Sequence, residues 1–225
     1  MGKKVTNNAL ILFLKYPELR KVKRRIAASL GDDFAFGLYT AFIKDLLAMA
    51  GFVGADKILA IDGPAGALIA SLDFDTGYSV IRQNGKDIGV RMLNTFIYVF
   101  NSGYKNAVLI GSDLPSLPAA LVENAFAALN TTDAAIGRST DGGYYIIGFR
   151  KETCSPDYFK GITWSTSSVF QRTVEKFSRS KKSVYILPEW IDIDDHNDLK
   201  QFYERNSNRT GTALYTMKYL AEMYP

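Results

Sequence analysis

Residues Val108 to Pro115 read Val-Leu-Ile-Gly-Ser-Asp-Leu-Pro, and this stretch decides how the chain is interpreted. Three apolar residues run into a glycine, a serine and then Asp113, before a turn at Pro115. The pattern predicts a buried strand that ends abruptly and carries one carboxylate at its C-terminal end. In open α/β sheets, ligands bind outside the carboxyl ends of the strands, so Asp113 is a candidate ligand for a divalent cation. The alternative is that Asp113 only caps the helix that starts near Pro118.

Length and composition favour one α/β domain over residues 1–225. Of the 225 residues, 47% are hydrophobic and 22% are charged, which is enough for one sizeable core and little for two. Residues 207–225 are expected to form a C-terminal helical extension of that domain. No apolar run is long enough to span a membrane, and the N-terminus lacks the pattern of a signal peptide. The sequence therefore predicts a cytoplasmic protein.

The scarcity of cysteine and histidine excludes two kinds of site. Cys154 is the single cysteine and His196 the single histidine. A chain with one of each cannot build the usual zinc site, and it offers only one imidazole to a Ser-His type of nucleophile system. Any bound metal is therefore expected to have oxygen ligands, which favours Mg²⁺ or Mn²⁺.

Positive charge is concentrated near the N-terminus. The net charge is only +4, yet residues 1–30 hold eight lysine and arginine side chains against one glutamate. Most of them lie in a loop predicted over residues 15–25, after the first strand. A local cluster on a near-neutral body favours the phosphates of a small nucleotide and not a nucleic acid. Lys15, Lys23 and Arg25 are the candidate phosphate ligands; the alternative is a solvated loop without a ligand.

Hydrophobic periodicity predicts alternating strands and helices. Strands are expected at 8–14, 57–61, 78–82, 107–110, 133–136, 143–149 and 183–187, and helices at 32–50, 90–100, 118–129, 165–177, 195–203 and 212–223. This order predicts a mostly parallel, twisted sheet with helices on both faces, to which residues 143–149 add an antiparallel strand. Asp32 or Asp33 is expected to cap the first helix, and Ser165 or Thr166 the fourth.

The segment from Gln83 to Met92 reads Gln-Asn-Gly-Lys-Asp-Ile-Gly-Val-Arg-Met and precedes a predicted helix. A helix N-terminus presents backbone N–H groups to an anion. Asp87 is expected to cap this helix, and Arg91 either faces the ligand or pairs with Asp87. A capped loop without a ligand explains the pattern equally well.

Two further acidic segments are candidates for the same site. Asp141 precedes Gly142 and Gly143, and paired glycines allow a backbone to approach a ligand closely, although they also form ordinary turns. Asp192 and Asp194 share one face of an extended segment because side chains alternate. Two carboxylates so placed repel each other unless a cation lies between them.

The residues after this pair look structural. Asp195 is expected to cap the following helix, with Asp198 at its third position. His196 is expected to be exposed on that helix, so it is a poor candidate for a catalytic base.

Six of these segments, in this order, resemble the small bacterial GT-A-like glycosyltransferase-like proteins. These belong to the superfamily of nucleotide-diphospho-sugar transferases, with relatives such as phospholactate and molybdopterin guanylyltransferases. The resemblance extends from about residue 8 to about residue 199. The matching segments are Lys15-Tyr-Pro with Val22-Lys-Arg-Arg-Ile, Gln83 to Met92, Ile110 to Pro115, Asp141 to Tyr145, Trp164 to Thr166, and Asp192 to Leu199. Arg20 stands where the family pattern has glycine, and Arg24 where it has threonine.

The resemblance implies a single-domain GT-A/Rossmann-like fold and roles for the matching residues. It implies that Asp113 holds a divalent metal on the nucleotide diphosphate, that Asp192 and Asp194 complete the metal site, and that the first loop embraces the phosphates. The implied ligands of the nucleotide and its phosphates are Lys15, Lys23, Arg25, Gln83, Gly85, Asp87 and Arg91. Those on the acceptor side are Gly142, Gly143, Tyr144 and Trp164.

The expected function is glycosyl transfer from a nucleotide-diphospho-sugar to a small-molecule acceptor whose identity the sequence leaves open. Asp113 and its metal would neutralise the departing diphosphate, Lys23 and Arg25 would add electrostatic stabilisation, and Asp141 is the candidate base or acceptor-orienting group. The alternatives are nucleotidyl transfer that releases pyrophosphate, and nucleotide binding without catalysis.

Overall fold

The structure is a computed structural model that describes residues 6–64, 77–207, 211 and 213–224. Strands and helices alternate along these residues, as the periodicity predicts. The strands are β1 (Asn8–Lys15), β2 (Asp56–Asp62), β3 (Tyr78–Arg82), β4 (Asn106–Ile110), β5 (Ala134–Ser139), β6 (Tyr144–Arg150) and β7 (Val184–Trp190). The helices are α1 (Arg24–Leu30), α2 (Asp32–Ala50), α3 (Ile88–Asn101), α4 (Ala119–Ala128), α5 (Val169–Arg179), α6 (His196–Asn206) and α7 (Leu214–Met223).

The seven strands form one sheet in the order β3-β2-β1-β4-β6-β5-β7. Strand β1 pairs in parallel with both β2 and β4, whereas β6 runs antiparallel between β4 and β5. The predicted mixed sheet with one antiparallel insertion is confirmed. The chain passes from β1 to β2 and β3 on one side and then returns to β4 on the other side of β1. This reversal of strand order opens a crevice at the carboxyl ends of β1 and β4.

Helices cover both faces of the sheet, as predicted. On one face, Leu10, Leu12 and Leu14 of β1 are buried in a core that includes Phe42 of α2. On the other face, Ile11 of β1 is buried in a second core with residues of α3, β6 and α5. Side chains alternate between the two faces, so each strand contributes to both cores.

The first loop is shorter than the sequence predicts, because α1 begins at Arg24. A helix of seven residues has little stability of its own, and the burial of Ile26 against the core stabilises it. Helix α2 spans the predicted residues, but its N-cap is Gly31, at a φ of 92°, and neither aspartate of its first turn caps it. The cap prediction for Asp32 and Asp33 is therefore wrong.

Helix α5 begins four residues later than predicted. Ser165 has a φ of 61°, which a right-handed helix cannot include. Neither Ser165 nor Thr166 is the cap; the N-cap is Ser168, which makes no side-chain capping bond. The segment before α5 is consequently free to form a wall of the site.

The C-terminal helix α7 packs against α2. The Tyr219 hydroxyl donates to the carbonyl of Phe34 at 3.0 Å, and the Asp45 carboxylate accepts the N–H groups of Tyr215 and Thr216 at 2.9 and 2.8 Å. Of the extension predicted over residues 207–225, residues 208–210, 212 and 225 lie outside the described residues. None of the helices in the described part of the chain has the length and apolarity that crossing a membrane requires.

Candidate active site

A cleft of about 510 Å³ lies at the carboxyl ends of β1 and β4. Lysine and arginine side chains from the loop between β1 and α1 and from the start of α1 form its basic wall, and the carboxylates of Asp113, Asp141 and Asp194 form its acidic wall. The structure thus brings both kinds of charge to one cleft, which we call the basic cleft, at the switch point of the sheet, where open α/β folds bind ligands.

Three carboxylates lie close together at this cleft, and two of them, Asp141 and Asp194, line it. Oxygens of Asp141, Asp192 and Asp194 all lie within 4.8 Å of one another. Burial, followed by the charges of Asp141 and Asp194, raises the pKa of Asp192 to about 7. Burial also raises the pKa of Asp194, against the lowering effect of Lys23. An all-oxygen donor set whose charges repel one another fits a hard divalent cation.

The structure brings Asp141 into this cluster and gives Asp113 a different partner. The Lys23 ammonium lies 2.7 Å from Oδ1 of Asp113 and 3.5 Å from Oδ1 of Asp194. It also donates to the carbonyl of Ile193 at 2.6 Å, and only 4% of the Lys23 side chain is exposed. Lys23 therefore acts as an internal counterion that holds Asp113 beside the carboxylate cluster.

Other cations of the first loop differ in whether they already bind a group of the protein. Lys15 donates to the carbonyl of Lys21 at 2.7 Å. Arg24 and Arg25 are exposed and line the cleft, and neither has an ion-pair partner among the described residues. These two arginines are consequently the cations most available to an anion. The sequence predicts Arg25 as a phosphate ligand, but it does not identify Arg24 as one.

Arg20, which stands where the family pattern has glycine, keeps a glycine-like backbone. Its φ of 67° lies in the left-handed region that glycine adopts without strain. Its Nε lies 3.3 Å from Oδ2 of Asp32. The loop therefore keeps, with arginine at position 20, the backbone conformation that a glycine would favour.

A buried tyrosine that the sequence interpretation missed supports Asp113. The Tyr39 hydroxyl lies 3.0 Å from the backbone nitrogen of Lys15, from which it accepts, and 3.1 Å from Oγ of Ser112. Ser112 donates in turn to Asp113 at 3.3 Å. Burial, followed by the charge of Asp113, raises the pKa of Tyr39, so the hydroxyl stays protonated. Tyr39 lies among the core residues of α2, and its position offered no signal of a polar role.

The segment after β3 mainly supports the ends of the strands. Gln83 is buried, and its Nε2 donates to the carbonyls of Leu14 and Ala60, both at 2.9 Å. Asp87 accepts the N–H of Val90 at 2.9 Å, so its predicted capping role is confirmed. These bonds join the carboxyl ends of β1, β2 and β3 to the start of α3.

Arg91 pairs with a residue that the sequence interpretation did not consider. Its Nη1 lies 2.6 Å from Oδ2 of Asp62, at the end of β2, and its Nε donates to the carbonyl of Gly85 at 3.2 Å. The predicted pairing with Asp87 is therefore wrong. Gly85, at a φ of 151°, leaves no room for a Cβ beside the backbone of Arg91. None of these groups lines the basic cleft.

The turn at Asp141 is held from two sides. One oxygen of Asp141 accepts from the Ser139 hydroxyl and from the N–H of Gly143, the latter at 2.7 Å. Gly142 has a φ of 89°, and a Cβ there would overlap the backbone of Ser167. The turn therefore packs tightly against the segment that precedes α5.

A second cavity of about 220 Å³ adjoins the first. We call it the aromatic cavity; its walls include Phe13, Ile88, Met92, Tyr144 and Trp164. The rings of Tyr144 and Trp164 meet edge to face at 6.4 Å. Asp141 lines both cavities, and so do Ser165 and Thr166. The predicted acceptor-side residues Tyr144 and Trp164 are therefore brought together, with Asp141 between them and the basic cleft.

The residues after the acidic pair are structural, as predicted, with one exception. Asp195 accepts the N–H groups of Asn197 and Asp198, and Asp198 accepts those of Asp194 and Asp195, which completes a capping box. His196 is only partly exposed, and its Nε2 lies 3.1 Å from the hydroxyl of Tyr224. The expectation of an exposed histidine is wrong, because α6 packs near the C-terminal residues.

Comparisons with known proteins agree with this architecture. A family model described as "Uncharacterized protein conserved in bacteria (DUF2064)" matches residues 46–166. The crystal structure of a protein of Desulfovibrio desulfuricans G20, provisionally named a nucleotide-diphospho-sugar transferase, is 37% identical, with a TM-score of 0.91 over 97% of this chain and 95% of the other. No curated protein that was compared with the chain matches it.

More distant structures share the fold alone. Rv0371c of Mycobacterium tuberculosis H37Rv, solved as a complex with manganese, is 16% identical, with a TM-score of 0.53 over 88% of this chain and 99% of that one. The 4-diphosphocytidyl-2C-methyl-D-erythritol synthase of Anaerococcus prevotii DSM 20548 is 11% identical, with a TM-score of 0.59 over 96% of each chain. The arrangement of the sheet is thus shared with these two proteins.

Proposed function

We propose that this chain, which belongs to the DUF2064 family of proteins conserved in bacteria, is a transferase that acts on a nucleotide-activated substrate, with glycosyl transfer from a nucleotide-diphospho-sugar as its reaction. One observation carries the proposal: Arg24 and Arg25, which have no ion-pair partner among the described residues, line the same cleft as Asp141 and Asp194 of the carboxylate cluster, at the switch point of the sheet. A nucleotide diphosphate that is bound with a divalent cation satisfies both walls at once.

The phosphates would be bound by Arg24 and Arg25. Guanidinium groups form paired hydrogen bonds with phosphate oxygens, and both side chains reach the cleft from the start of α1. Lys23 is a candidate for the same task only if its ammonium leaves Asp113, because the structure commits it to that carboxylate. Its assigned task here is to neutralise Asp113 and to keep it beside Asp194.

A divalent cation would be held by Asp192 and Asp194, beside Asp141, since oxygens of the three carboxylates lie within 4.8 Å of one another. When bound, Mg²⁺ or Mn²⁺ would supply charge neutralisation for the diphosphate that departs. Asp113 lies next to this set through Lys23, and Ser112 and Tyr39 restrict its orientation. Of the predicted ligands Asp113, Asp192 and Asp194, the last two are thus retained, because Lys23 neutralises Asp113.

Asp141 is the candidate base. It lies between the basic cleft and the aromatic cavity, so an acceptor in the second meets a donor in the first beside this carboxylate. The Ser139 hydroxyl and the Gly143 N–H both bind Oδ1, which leaves Oδ2 to take a proton from the acceptor.

Calorimetry with nucleoside diphosphates and nucleotide-diphospho-sugars, with and without Mn²⁺, tests the proposal. We expect metal-dependent binding that weakens at least tenfold when Arg24 and Arg25 are both replaced by alanine. Arg179→Ala is the matched control, because Arg179 is also exposed but lies on α5 outside both cavities. No binding of any nucleotide by the wild-type protein, or equal loss in the control, would contradict the proposal.

Nucleotidyl transfer is the second candidate, and the backbone at Arg20 keeps it open. The left-handed conformation there leaves the loop backbone in the shape that glycine would provide, so the presence of Arg20 does not by itself disfavour a triphosphate substrate. Analysis of the products separates the two reactions. Glycosyl transfer releases a nucleoside diphosphate, whereas nucleotidyl transfer from a nucleoside triphosphate releases pyrophosphate.

A further inference from the structure

We infer that the acceptor is a planar, largely apolar alcohol whose ring occupies the aromatic cavity and whose hydroxyl lies at Asp141. The inference rests on the proposed function, because it assigns the second substrate of the same site. Its support is the apolar character of the cavity wall, the hydrogen bonds that already engage the polar groups of that wall, and the position of Asp141, which lines both cavities.

The walls of the aromatic cavity are mostly apolar. Met92, Leu109 and Tyr145 are buried beneath it, and the ring edges of Trp164 and Tyr144 form one side. The volume of about 220 Å³ compares with about 510 Å³ for the basic cleft. Since a water molecule occupies about 30 Å³ in the liquid, the aromatic cavity accommodates a group of one or two rings.

The polar groups on this wall are largely committed to one another. The Tyr144 hydroxyl contacts the sulfur of Met92 at 3.7 Å, and the Thr166 hydroxyl donates to the carbonyl of Thr163 at 2.8 Å. The N–H of Gly111 donates to the carbonyl of Tyr145 at 3.1 Å. The N–H of Gly143 donates to Asp141. Among the described side chains of this wall, those of Asp141 and Ser165 remain for a ligand, and both also line the basic cleft.

A wall with so few available polar groups disfavours a sugar ring or a nucleobase, which are the two polar occupants that the proposed function suggests. A sugar ring carries hydroxyls on all sides, and a nucleobase carries donors and acceptors along its edges. Either would leave several polar groups without partners against an apolar wall, and each buried unpaired group costs about 1–3 kcal/mol. A ring with a single polar group avoids this cost, because Asp141 and Ser165 can bind that group.

The wall is rigid before any ligand binds. A Cβ on Gly89 would overlap the indole ring of Trp164, so the ring lies directly on the first turn of α3. Because Gly142 has no side chain, the backbone of Ser167 lies directly against it, and the Gly142 carbonyl accepts the N–H of Phe170 at 3.0 Å. Trp164 and the hydroxyl residues after it are thus anchored at both ends, which favours a ligand of defined flat shape.

The transfer balances with these groups alone. The acceptor oxygen forms a bond to the anomeric carbon of the donor as the bond from that carbon to the diphosphate oxygen breaks. The electron pair of the broken bond leaves with the nucleoside diphosphate. The proton of the acceptor hydroxyl passes to the carboxylate of Asp141.

Tryptophan fluorescence provides the test, because the chain has two tryptophans. Trp190 lies at the end of β7 and lines a separate cavity with Phe202, so Trp190→Phe leaves Trp164 as the single reporter. The probes are cinnamyl alcohol as the planar alcohol, methyl α-D-glucopyranoside as the polar ring, and free cytidine, guanosine, uridine and adenosine as the bases. We expect a saturable change in Trp164 emission with cinnamyl alcohol only.

A matched pair of variants on α3 makes the test specific. Ile88 lines the aromatic cavity and is 45% exposed, whereas Ile97 is 43% exposed on the same helix and lies outside the cavity. Ile88→Glu is expected to weaken cinnamyl alcohol at least tenfold, and Ile97→Glu to leave its affinity unchanged. Both positions face water, so neither substitution introduces a charge into the core.

The possible outcomes separate the inference from the proposed function. Saturation by a free nucleoside, saturation by the glucoside, equal weakening in both isoleucine variants, or no saturable change overturns the inference. The same protein is also titrated with nucleoside diphosphates and Mn²⁺. Nucleotide binding without alcohol binding overturns the inference alone, and alcohol binding without nucleotide binding overturns the proposed function, on which the identity of the alcohol as acceptor rests.

Discussion

The ammonium of Lys23 lies 2.7 Å from Oδ1 of Asp113, and the lysine side chain is almost fully buried. The two residues come from separate motifs, each of which predicts a contact with the substrate. In the structure they contact each other, and Lys23 also reaches Asp194 and the carbonyl of Ile193. The pair therefore joins the basic wall of the cleft to its acidic wall.

Replacement of Lys23 by methionine tests this joining role. We expect the free energy of unfolding to fall by about 1–3 kcal/mol, because two carboxylates and a carbonyl lose their cation. The effect stays below the roughly 3–5 kcal/mol of a fully buried pair, because Asp113 keeps 35% of its side chain exposed.

Urea denaturation measures the change, and Lys160→Met is the control. Lys160 forms an exposed pair with Asp157 and is expected to contribute almost nothing. Adding Asp113→Asn to Lys23→Met should restore part of the lost stability. A Lys23 variant as stable as the Lys160 variant would show that the pair does not support the fold.

The raised pKa of Asp192 predicts an unusual dependence of stability on pH. Burial and the neighbouring carboxylates raise this pKa to about 7 in the folded chain, against about 3.9 when unfolded. The folded state therefore binds a proton that the unfolded state releases, and stability falls as the pH rises from about 4 to about 7.

Melting temperatures between pH 5 and pH 8 in the presence of a chelator check this dependence. Asp192→Asn should flatten the decline, whereas Asp157→Asn, an exposed change outside the cleft, should leave it intact. A decline of the same slope in all three proteins would mean that other groups cause it.

The choice of metal ligands leads to a third prediction. Asp192 and Asp194 lie in the carboxylate cluster with Asp141, whereas Asp113 is neutralised by Lys23. We expect Asp192→Asn to weaken Mn²⁺ binding at least tenfold and Asp113→Asn to weaken it less. Electron paramagnetic resonance of free Mn²⁺ measures both. The reverse order would favour Asp113 as the principal ligand, as the sequence alone suggests.

The contact between Gly89 and Trp164 gives a fourth prediction. A Cβ on residue 89 would overlap the indole ring, so Gly89→Ala should lower the free energy of unfolding by about 1–3 kcal/mol through overpacking. Gly111→Ala is the control, since nothing lies within 4 Å of a Cβ there. In a double-mutant cycle, Trp164→Ala should remove most of the cost of the alanine at position 89. Additive losses would show that the ring does not lie on this glycine.

Much of the fold follows from local pattern. The continuous apolar run of β1 and the stripe of α2 predict their elements to within one residue. The insertion of β6 as an antiparallel strand is also predicted. By contrast, α1 is missed because its seven residues are helical only through the burial of Ile26, and the start of α5 is misplaced because Ser165 adopts a left-handed backbone.

Local sequence pattern is therefore sufficient for the class of sheet, the edge at which its polar segments end, and the shared face of Asp192 and Asp194. Each of these depends on the alternation of side chains or on the order of elements along the chain. Both depend on residues that are close in the sequence, so the sequence pattern is sufficient to predict them.

The choice of side-chain partners, by contrast, depends on the packed fold. Lys23 meets the carbonyl of Ile193 across 170 positions of the chain, and Arg91 meets Asp62, whereas the sequence predicts either a ligand or Asp87 as its partner. Asp141 joins Asp192 and Asp194 because the ends of separate strands converge at one sheet edge. The physical reason is that a charged side chain takes whichever opposite charge the packed backbone brings within about 4 Å, and that distance depends on the whole fold.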